Sequence, residues 1–251
     1  MRESRRPFVR TLLTLIMAGG QGERARRSIG PIPKPLLAVR GVPLIERNMR
    51  TLLLQGFHDV VVSLPQSSSE VKRFVLGRGR DLIETAGGTL EILEEQTPRG
   101  NIGCAAELFG RTETVLVVFA DNLTTLDLRL LLETHRSNDS SLTLATHFEA
   151  VQLPFGEIES ENGRIVAYRE KPKRPMLICS GLFALGERAL AAIPRDRPMG
   201  VSDLAQALLA RGEIVSEYRH RALWVDVNDA EALMRAEELV AEHEHSFGLL
   251  S

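Results

Sequence analysis

Short, mainly apolar segments in the first half of the chain each end at a glycine, a proline or an acidic residue. Such segments are typical of strands that are buried on both faces of a sheet. The pattern predicts strands at residues 9–17, 59–64, 90–94 and 114–120, and helices at residues 44–55, 67–84, 102–108 and 128–136. Because strands and helices alternate, we expect a doubly wound sheet with right-handed crossovers.

The second half of the chain is richer in strands. Strand-like patterns occur at residues 141–148, 155–159, 164–169, 177–185, 213–218 and 222–225, and helical patterns at 187–193, 201–210 and 229–242. Asn162-Gly163 is typical of a hairpin turn. The predicted fold is α/β, with a doubly wound, mostly parallel, Rossmann-like sheet and an antiparallel portion. We expect a basic N-terminal arm at residues 1–10 and a single domain at residues 11–245, with halves at 11–138 and 139–245.

The composition is that of an ordinary globular protein. Hydrophobic residues make up 43% of the 251 residues, charged residues make up 25%, and the formal net charge is -2. This balance indicates neither a nucleic acid nor an anionic membrane as partner. No apolar run reaches the roughly 18 residues of a membrane span, and residues 11–17 lack a signal-peptide cleavage site, so we expect a cytoplasmic protein. Cys104 and Cys179 are predicted to be small core residues.

The strongest chemical signal is a glycine-rich turn directly after the first predicted strand. The turn contains Ala18, Gly19, Gly20 and Gly22. Because glycines have no side chains, the backbone N–H groups of such a turn can point at phosphate oxygens. Arg24, at the end of the turn, can bind a pyrophosphate through two hydrogen bonds. Lys34, in a Pro-Lys-Pro-Leu segment, supplies a mobile charge. The structural alternative is a plain glycine turn with surface Arg and Lys side chains.

The same glycines also match the loose G-x-G-x-x-G/A pattern of dinucleotide-binding proteins. Such a site needs a helix directly after the glycines and an acidic residue at the end of the next strand. Pro31, Pro33 and Pro35 prevent a long helix here, and the next strand ends at Leu64-Pro65 without a carboxylate. Both features argue against a nicotinamide or flavin cofactor.

The combination of G-G-x-G-x-R with a downstream P-K-P-L resembles the sugar-phosphate nucleotidyltransferase family, and the similarity runs over nearly the whole chain. The resemblance implies an enzyme that joins a nucleoside triphosphate to a sugar 1-phosphate, releases pyrophosphate and uses Mg²⁺. It implies catalytic roles for Arg24 and Lys34 and nucleotide binding by the glycine turn. It also makes the antiparallel half of the chain the sugar-phosphate-binding half.

Two aspartates match the metal ligands of that family. Asp121 follows a buried strand, and a carboxylate at the C-terminal tip of a central parallel strand faces the crevice where α/β sheets bind ligands. Asp226 belongs to a Trp-Val-Asp sequence that resembles the late W-x-D motif of the family. Two carboxylates suit Mg²⁺, which keeps waters and phosphates as its other ligands. The alternative for each aspartate is a helix N-cap, because helical patterns follow both.

The remaining site residues that the resemblance implies lie in two groups. Residues 96–100 form a loop, called the base loop below, that the resemblance assigns to the nucleotide base. Gln96 would offer a donor and an acceptor to the base, and Gly100 would let the backbone approach it. The alternative is an ordinary turn. The sugar 1-phosphate would be bound by Gly156, Glu170, Lys171 and Ser180. Ser180 stands in a Cys-Ser-Gly sequence where relatives usually carry Asn-x-Gly, and the base loop also departs from the family pattern. Neither the base nor the sugar therefore follows from the sequence.

Two other functions remain open. One is nucleotidyl transfer to a non-sugar phosphate, such as phosphocholine or a polyol or cyclitol phosphate. The other is a non-catalytic regulatory subunit that senses nucleotide sugars, which should lack Arg24, Lys34 or one of the two aspartates. All of these residues are present. The resemblance leaves a homo-oligomer open as well.

Overall fold

The computed structural model describes residues 10–20 and 27–247. Its strands are β1 (Arg10–Met17), β2 (Ala38–Val39), β3 (Val42–Pro43), β4 (Asp59–Pro65), β5 (Thr89–Glu95), β6 (Thr112–Phe119), β7 (Asn122–Thr124), β8 (Leu142–Gln152), β9 (Glu157–Glu161), β10 (Arg164–Arg169), β11 (Lys173–Gly186), β12 (Val215–Arg219) and β13 (Trp224–Asp226). The α-helices are α1 (Leu44–Leu54), α2 (Ser69–Phe74), α3 (Arg80–Thr85), α4 (Leu128–Ser137), α5 (Glu187–Ala192), α6 (Val201–Ala210) and α7 (Ala230–Glu242).

Seven of the described strands form one sheet in the order β12-β8-β11-β6-β1-β4-β5. β1 lies between β4 and β6 and is parallel to both, and β5 is parallel to β4. β11 is antiparallel to its neighbours β6 and β8, while β12 is parallel to β8. Within this sheet only β11 runs against the other strands, which confirms the predicted mostly parallel, Rossmann-like arrangement.

Helices cover both faces of the sheet, which explains why its central strands are apolar. On β1, Ile16 packs in a core cluster with residues of α1, α2, α3 and α4. Its neighbours Leu15 and Met17 pack in a second cluster with residues of α5 and α6 on the opposite face. Successive residues of a strand point to opposite faces, so a strand between two helical layers is apolar at nearly every position. This is the doubly wound arrangement that the sequence predicts.

The predicted antiparallel portion consists of an extended ladder and a hairpin. β8 and β11 continue beyond the central sheet as an antiparallel pair that reaches from Thr146 and Cys179 to Gln152 and Lys173. Both strands are longer than predicted, because the residues of the extension are largely exposed and carry no apolar alternation. β9 and β10 form a separate hairpin. Its turn residues Asn162 and Gly163 have φ values of 48° and 78°, which confirms the predicted turn.

A two-stranded ribbon pairs segments that are far apart in the sequence. β7 and β13 are antiparallel, with Asn122 opposite Asp226 and Thr124 opposite Trp224. A third core cluster packs beneath the ribbon and contains Leu123 from β7, Val225 from β13 and two residues of α7. The strand predicted at residues 222–225 overlaps β13. β7 and its pairing with β13 were not predicted, because a strand of three residues is too short to show a periodic pattern.

Four local predictions are corrected by the structure. Residues 102–108 form a 3₁₀ helix from Gly103 instead of an α-helix, with the N–H of Ile102 bound to the carbonyl of Met199. The helix predicted at residues 67–84 begins at Ser69 and changes to a π-helical segment at Val75–Gly79, where Gly79 packs closely on Met49. The sequence Ser67-Ser68-Ser69-Glu70 also predicts a side-chain cap at the start of this helix, but Ser68 precedes the helix without a side-chain cap hydrogen bond. Cys104 is buried as predicted, but Cys179 is exposed at the start of the extended ladder.

Of the predicted arm at residues 1–10, only Arg10 is described, and it begins β1. Among the described helices, none is both long and apolar enough to cross a bilayer.

Candidate active site

The C-terminal ends of four parallel strands open onto one cleft of about 900 Å³. The cleft is lined by the segments that follow β1, β4, β5 and β6, and the predicted site residues in its wall are Gly19, Gly20, Gln96, Gly100 and Asp121. In α/β sheets, ligands bind outside the carboxyl ends of the strands. The position of the cleft therefore follows from the topology, and the chain brings its glycine turn, its base loop and one carboxylate together there.

A second cavity adjoins the cleft on the far side of the glycine turn. Ala18, Gly19, Gly20 and Lys34 line it. The N–H of Ala18 donates to the carbonyl of Ser63 at 2.8 Å, so this amide is not available to a phosphate and Ala18 contributes to the wall. The predicted roles of Gly22 and Arg24 lie outside the described residues.

The β7–β13 ribbon brings the two predicted metal ligands together. Asp121 directly precedes β7 and Asp226 ends β13. The N–H of Val227 donates to the carbonyl of Asp121 at 3.0 Å, which continues the ribbon by one residue. Two carboxylates that are 105 residues apart in the sequence thus lie at one edge of the cleft. The N-cap alternative is wrong for both, since Asp127 caps α4 and Asp229 caps α7.

Lys34 lies between the two carboxylates. Its Nζ is 2.5 Å from Asp121 Oδ2 and 3.6 Å from Asp226 Oδ1. It also donates to Asn228 Oδ1 at 2.5 Å. The flanking prolines hold Lys34 in a short 3₁₀ helix, Lys34–Leu36, so its position follows from the Pro-Lys-Pro-Leu segment. Asn228 was not predicted, and it also donates a hydrogen bond to Asp226 Oδ2.

The electrostatics of this group are those of a cation site. Burial and the nearby carboxylate of Asp121 raise the pKa of Asp226, and Lys34 and Asn228 oppose that shift. Asp226 Oδ1 is buried and has no hydrogen-bond partner among the described residues. Two neighbouring carboxylates are costly to bury unless a cation is close, and the ammonium group of Lys34, 3.6 Å from Asp226 Oδ1, supplies that charge in this structure.

The donor set fits Mg²⁺ better than a transition metal. Within the described residues, no group of three or more His, Cys, Asp or Glu side chains could hold a metal ion. A site with two carboxylates leaves most positions of an octahedral ion to phosphates and waters, which is how Mg²⁺ is usually bound. Asp121 and Asp226 therefore suit an ion that is shared with a phosphate-bearing substrate.

The predicted base loop packs against Met199, which lies two residues before α6. Gly100 has a φ of 78°, and a Cβ at this position would lie 2.3 Å from the carbonyl oxygen of Met199. The carbonyl of Arg99 accepts from the N–H of Met199 at 2.9 Å. Glu95 was not predicted but lines the cleft beside Gln96; its carboxylate accepts from Ser63 Oγ at 2.6 Å. Gly100 is thus required for close backbone packing, whether or not a base contacts it.

The extension of β8 and β11 and the β9–β10 hairpin together form the antiparallel arm. The predicted sugar-binding residues Gly156, Glu170 and Lys171 lie close together on this arm. A Cβ on Gly156 would lie 2.3 Å from Tyr168 Oη, and Tyr168 donates to Glu170 Oε2 at 2.9 Å. Lys171 follows in the turn before β11, with a φ of 43°. These residues are exposed or half-buried and do not line the cleft. The structure brings them together with one another but not with the glycine turn.

Ser180, which is predicted to contact the sugar phosphate, makes buried contacts with several other strands. Its side chain is fully buried, and its hydroxyl lies 2.8 Å from His147 Nδ1 and 2.7 Å from His220 Nε2. Its carbonyl accepts from Asn122 Nδ2 at 2.9 Å and from Trp224 Nε1 at 2.8 Å. Because Asn122 belongs to β7 and Trp224 to β13, these hydrogen bonds connect β11 to the ribbon that carries the two carboxylates.

The hydroxyl of Ser180 connects two imidazole rings. Its oxygen lies within hydrogen-bond distance of His147 Nδ1 and of His220 Nε2. The other ring nitrogens, His147 Nε2 and His220 Nδ1, are buried and have no hydrogen-bond partner among the described residues. A carboxylate oxygen of Glu149 lies 3.4 Å from His147 Nε2.

Comparison with known proteins agrees with this arrangement. The family model described as nucleotidyl transferase matches residues 13–243. The chain belongs to that family. It is 28% identical over 228 residues to a mannose-1-phosphate guanylyltransferase of Mycobacterium tuberculosis, with 88% of this chain covered. It is also 28% identical over 241 residues to a glucose-1-phosphate thymidylyltransferase of Neisseria meningitidis, which covers 90% of this chain and 81% of that protein.

The mycobacterial relative is longer, and the chain spans 62% of its length. Among solved structures, HddC from Yersinia pseudotuberculosis, complexed with GMP-PN, matches this chain with a TM-score of 0.69 and 22% identity. That match covers 90% of this chain and 98% of HddC. At this identity the likeness shows a common fold, and the comparisons together cover the glycine turn, the ribbon and the antiparallel arm.

Proposed function

We propose that this protein transfers the nucleotidyl group of a nucleoside triphosphate to a sugar 1-phosphate and releases pyrophosphate. One observation carries the proposal: the ribbon places Asp121 and Asp226 around Lys34, at the edge of a cleft whose wall contains the glycine turn. Two carboxylates and a lysine beside side-chain-free backbone suit a polyphosphate bound with a divalent ion. The relatives named above are sugar-1-phosphate nucleotidyltransferases.

In this proposal the chain catalyses transfer by position and charge. The phosphate oxygen of the sugar 1-phosphate is already anionic, so it attacks the α-phosphorus without a general base, and pyrophosphate leaves. The glycine turn and Arg24 bind the triphosphate, and Lys34 neutralises the negative charge that moves to the leaving group. Asp121 and Asp226 would hold Mg²⁺, which when bound supplies further neutralisation of the phosphate oxygens.

The base and the sugar occupy opposite ends of the site in this proposal. Gln96 and Gly100 face the base in the cleft, and Gly156, Glu170 and Lys171 receive the sugar phosphate from the arm. These three residues lie outside the cleft lining, so in this proposal the sugar phosphate extends from the cleft towards the arm. A non-sugar phosphate as acceptor would not need the arm, and a silent regulatory subunit would not need the group formed by Lys34, Asp121 and Asp226.

A pyrophosphate-release assay with Mg²⁺ tests the proposal. GTP, UTP, dTTP, CTP and ATP are each combined with a panel of sugar 1-phosphates, and with phosphocholine and polyol phosphates. We expect release that requires both substrates and is greatest with a sugar 1-phosphate. Release with a non-sugar acceptor alone would correct the acceptor. Absence of release from every pair by a protein that binds triphosphate would favour the silent subunit.

A pair of variants makes the assay specific to the carboxylate group. Asp226→Asn removes one charge from the group beside Lys34, whereas Asp229→Asn changes a nearby N-cap that points to the backbone of α7. We expect Asp226→Asn to abolish Mg²⁺-dependent release and Asp229→Asn to retain it. Equal loss in both variants would mean that the effect comes from the stability of α7 and not from the proposed site.

A further inference from the structure

The polar contacts of Lys34 are made with the two carboxylates and with Asn228. Its Nζ is 2.5 Å from Asp121 Oδ2, 2.5 Å from Asn228 Oδ1 and 3.6 Å from Asp226 Oδ1. Two of the three donors of the ammonium group are used in the hydrogen bonds to Asp121 and Asn228, and Asp226 Oδ1 lies beyond hydrogen-bond distance as an ion-pair partner. The side chain is only 10% exposed. The group expected to act on phosphate therefore serves here as the counter-ion of the carboxylate pair.

We propose that Lys34 and a divalent ion compete for Asp121 and Asp226, so that Lys34 keeps the metal site closed until the phosphates of a nucleotide draw the lysine away. This inference rests on the proposed function, because it takes the carboxylate pair as the metal site. It assigns Lys34 a second role that precedes chemistry, and it makes metal binding depend on nucleotide binding.

Charge and distance make the two cations mutually exclusive. A Mg²⁺ ion lies about 2.1 Å from its carboxylate oxygens, so an ion on Asp121 Oδ2 would be less than about 5 Å from the present position of the ammonium group. Three positive charges would then face two carboxylates in a half-buried site, where solvent screens charges weakly. Conversely, the two carboxylates repel one another when neither cation is present. Either the ammonium group of Lys34 or the divalent ion therefore stabilises the two carboxylates, but the two cations do not do so at the same time.

The surroundings of Lys34 provide the route by which it leaves. The residue also lines the second cavity, together with Gly19 and Gly20 of the glycine turn. Phosphate oxygens held by that turn would offer the ammonium group a stronger set of anionic partners. Pro33 and Pro35 restrict the backbone on both sides of Lys34, so the change is a rotation of the side chain. Nucleotide and metal then each raise the affinity of the protein for the other, as linkage requires.

Asn228 sets the strength of this competition. Its amide oxygen accepts from Lys34 and its amide nitrogen donates to Asp226, so it holds the lysine against the pair. A metal site built on two carboxylates does not need a neutral amide beside it. The arrangement in which Lys34 contacts both carboxylates, here called the closed state, does give Asn228 a role.

Binding of Mn²⁺ to the nucleotide-free protein tests the inference without turnover. Free Mn²⁺ is measured by electron paramagnetic resonance during titration of the wild type and of Lys34→Met, which removes the charge and keeps the length of the side chain. We expect the variant to bind Mn²⁺ at least tenfold more tightly. Lys34→Gln, which retains a hydrogen bond to Asn228, provides the same test if Lys34→Met does not fold.

Two further variants locate and control the effect. Adding Asp226→Asn to Lys34→Met should abolish the gain, which places the ion at the carboxylate pair. Arg111→Met removes one positive charge from an exposed ion pair with Glu91, at the opposite end of β6 from Asp121, and should leave Mn²⁺ affinity unchanged. An equal gain in Arg111→Met would show that net charge alone is responsible and would overturn the inference.

Equal Mn²⁺ affinity in wild type and Lys34→Met would also overturn it. That result is distinguishable from failure of the proposed function, which the pyrophosphate assay reports separately. A protein that releases pyrophosphate but shows equal Mn²⁺ affinities would retain its function and lose the closed state. A tenfold gain that Asp226→Asn abolishes supports the competition whichever acceptor the enzyme uses.

Discussion

Lowering the pH from 7 to 5 should destabilise this protein through two buried histidines. His135, on α4, is 4% exposed, and His220, which follows β12, is 8% exposed. Burial lowers the pKa of each imidazole from 6.5 to about 4; the arginines Arg136 and Arg188 add to the effect at His135, and His147 adds to it at His220.

The direction of the pH effect on the free energy of unfolding follows from the protons that each state binds. Between pH 6.5 and about 4 the unfolded chain binds a proton at each histidine and the folded protein does not, so the free energy of unfolding falls as the pH falls. From pH 7 to pH 5, each histidine contributes a loss of about 2 kcal/mol, or about 4 kcal/mol for both. This is a large part of the roughly 5–15 kcal/mol by which domains are stable.

Urea denaturation at pH 7, 6 and 5 measures the loss. His135 bonds to Thr143 through Nδ1, so His135→Asn preserves the position of that bond, and His220→Gln likewise preserves the bond of Nε2 to Ser180. Each variant should remove about half of the pH-dependent loss, and the double variant nearly all of it. If the double variant loses stability between pH 7 and 5 as steeply as the wild type, the two histidines are not the cause and the reasoning fails.

Three substitutions test other parts of the site. Gly100→Ala should raise the KM for triphosphate at least tenfold, because the methyl group would lie 2.3 Å from the Met199 carbonyl oxygen. Gly110→Ala is the control, since Gly110 has the same φ of 78° and no described atom lies within 4 Å of the added carbon. It should leave the KM unchanged, and equal effects of the two variants would contradict a role for close packing at Gly100. Asp226→Asn should lower kcat at least a hundredfold with an unchanged urea midpoint, so retained turnover would remove Asp226 from the site. Ser180→Ala should destabilise the protein by about 2 kcal/mol in urea, since two buried imidazole nitrogens lose their partner, and a loss below about 0.5 kcal/mol would rule out that role.

The parts of the fold and site that could be predicted are those that depend on neighbours in the sequence. Gly19 and Gly20 follow an apolar strand, and Asp121 follows another. Because parallel strands end at the same edge of a sheet, such residues meet in one cleft. The hairpin turn at Asn162-Gly163 was also predictable, since its positive φ values favour these two residues.

The parts that could not be predicted depend on contacts between distant segments. β7 and β13 are three residues long, and only their pairing shows that Asn228 reaches Lys34. Ser180 stands on β11 where the register shifts between Cys179 and Phe183. Its side chain is fully buried, and no local pattern in the sequence indicates either the register shift or the burial.

Direct attack by the sugar phosphate on the α-phosphorus of the triphosphate is tested by isotope transfer. The enzyme is incubated with Mg²⁺, a triphosphate labelled with ³²P at the α position and the sugar 1-phosphate that supports pyrophosphate release, and the products are separated by chromatography. We expect all of the label in the nucleotide sugar and none in pyrophosphate or on the protein. Label in free nucleoside monophosphate, or bound covalently to the protein, would contradict the claim.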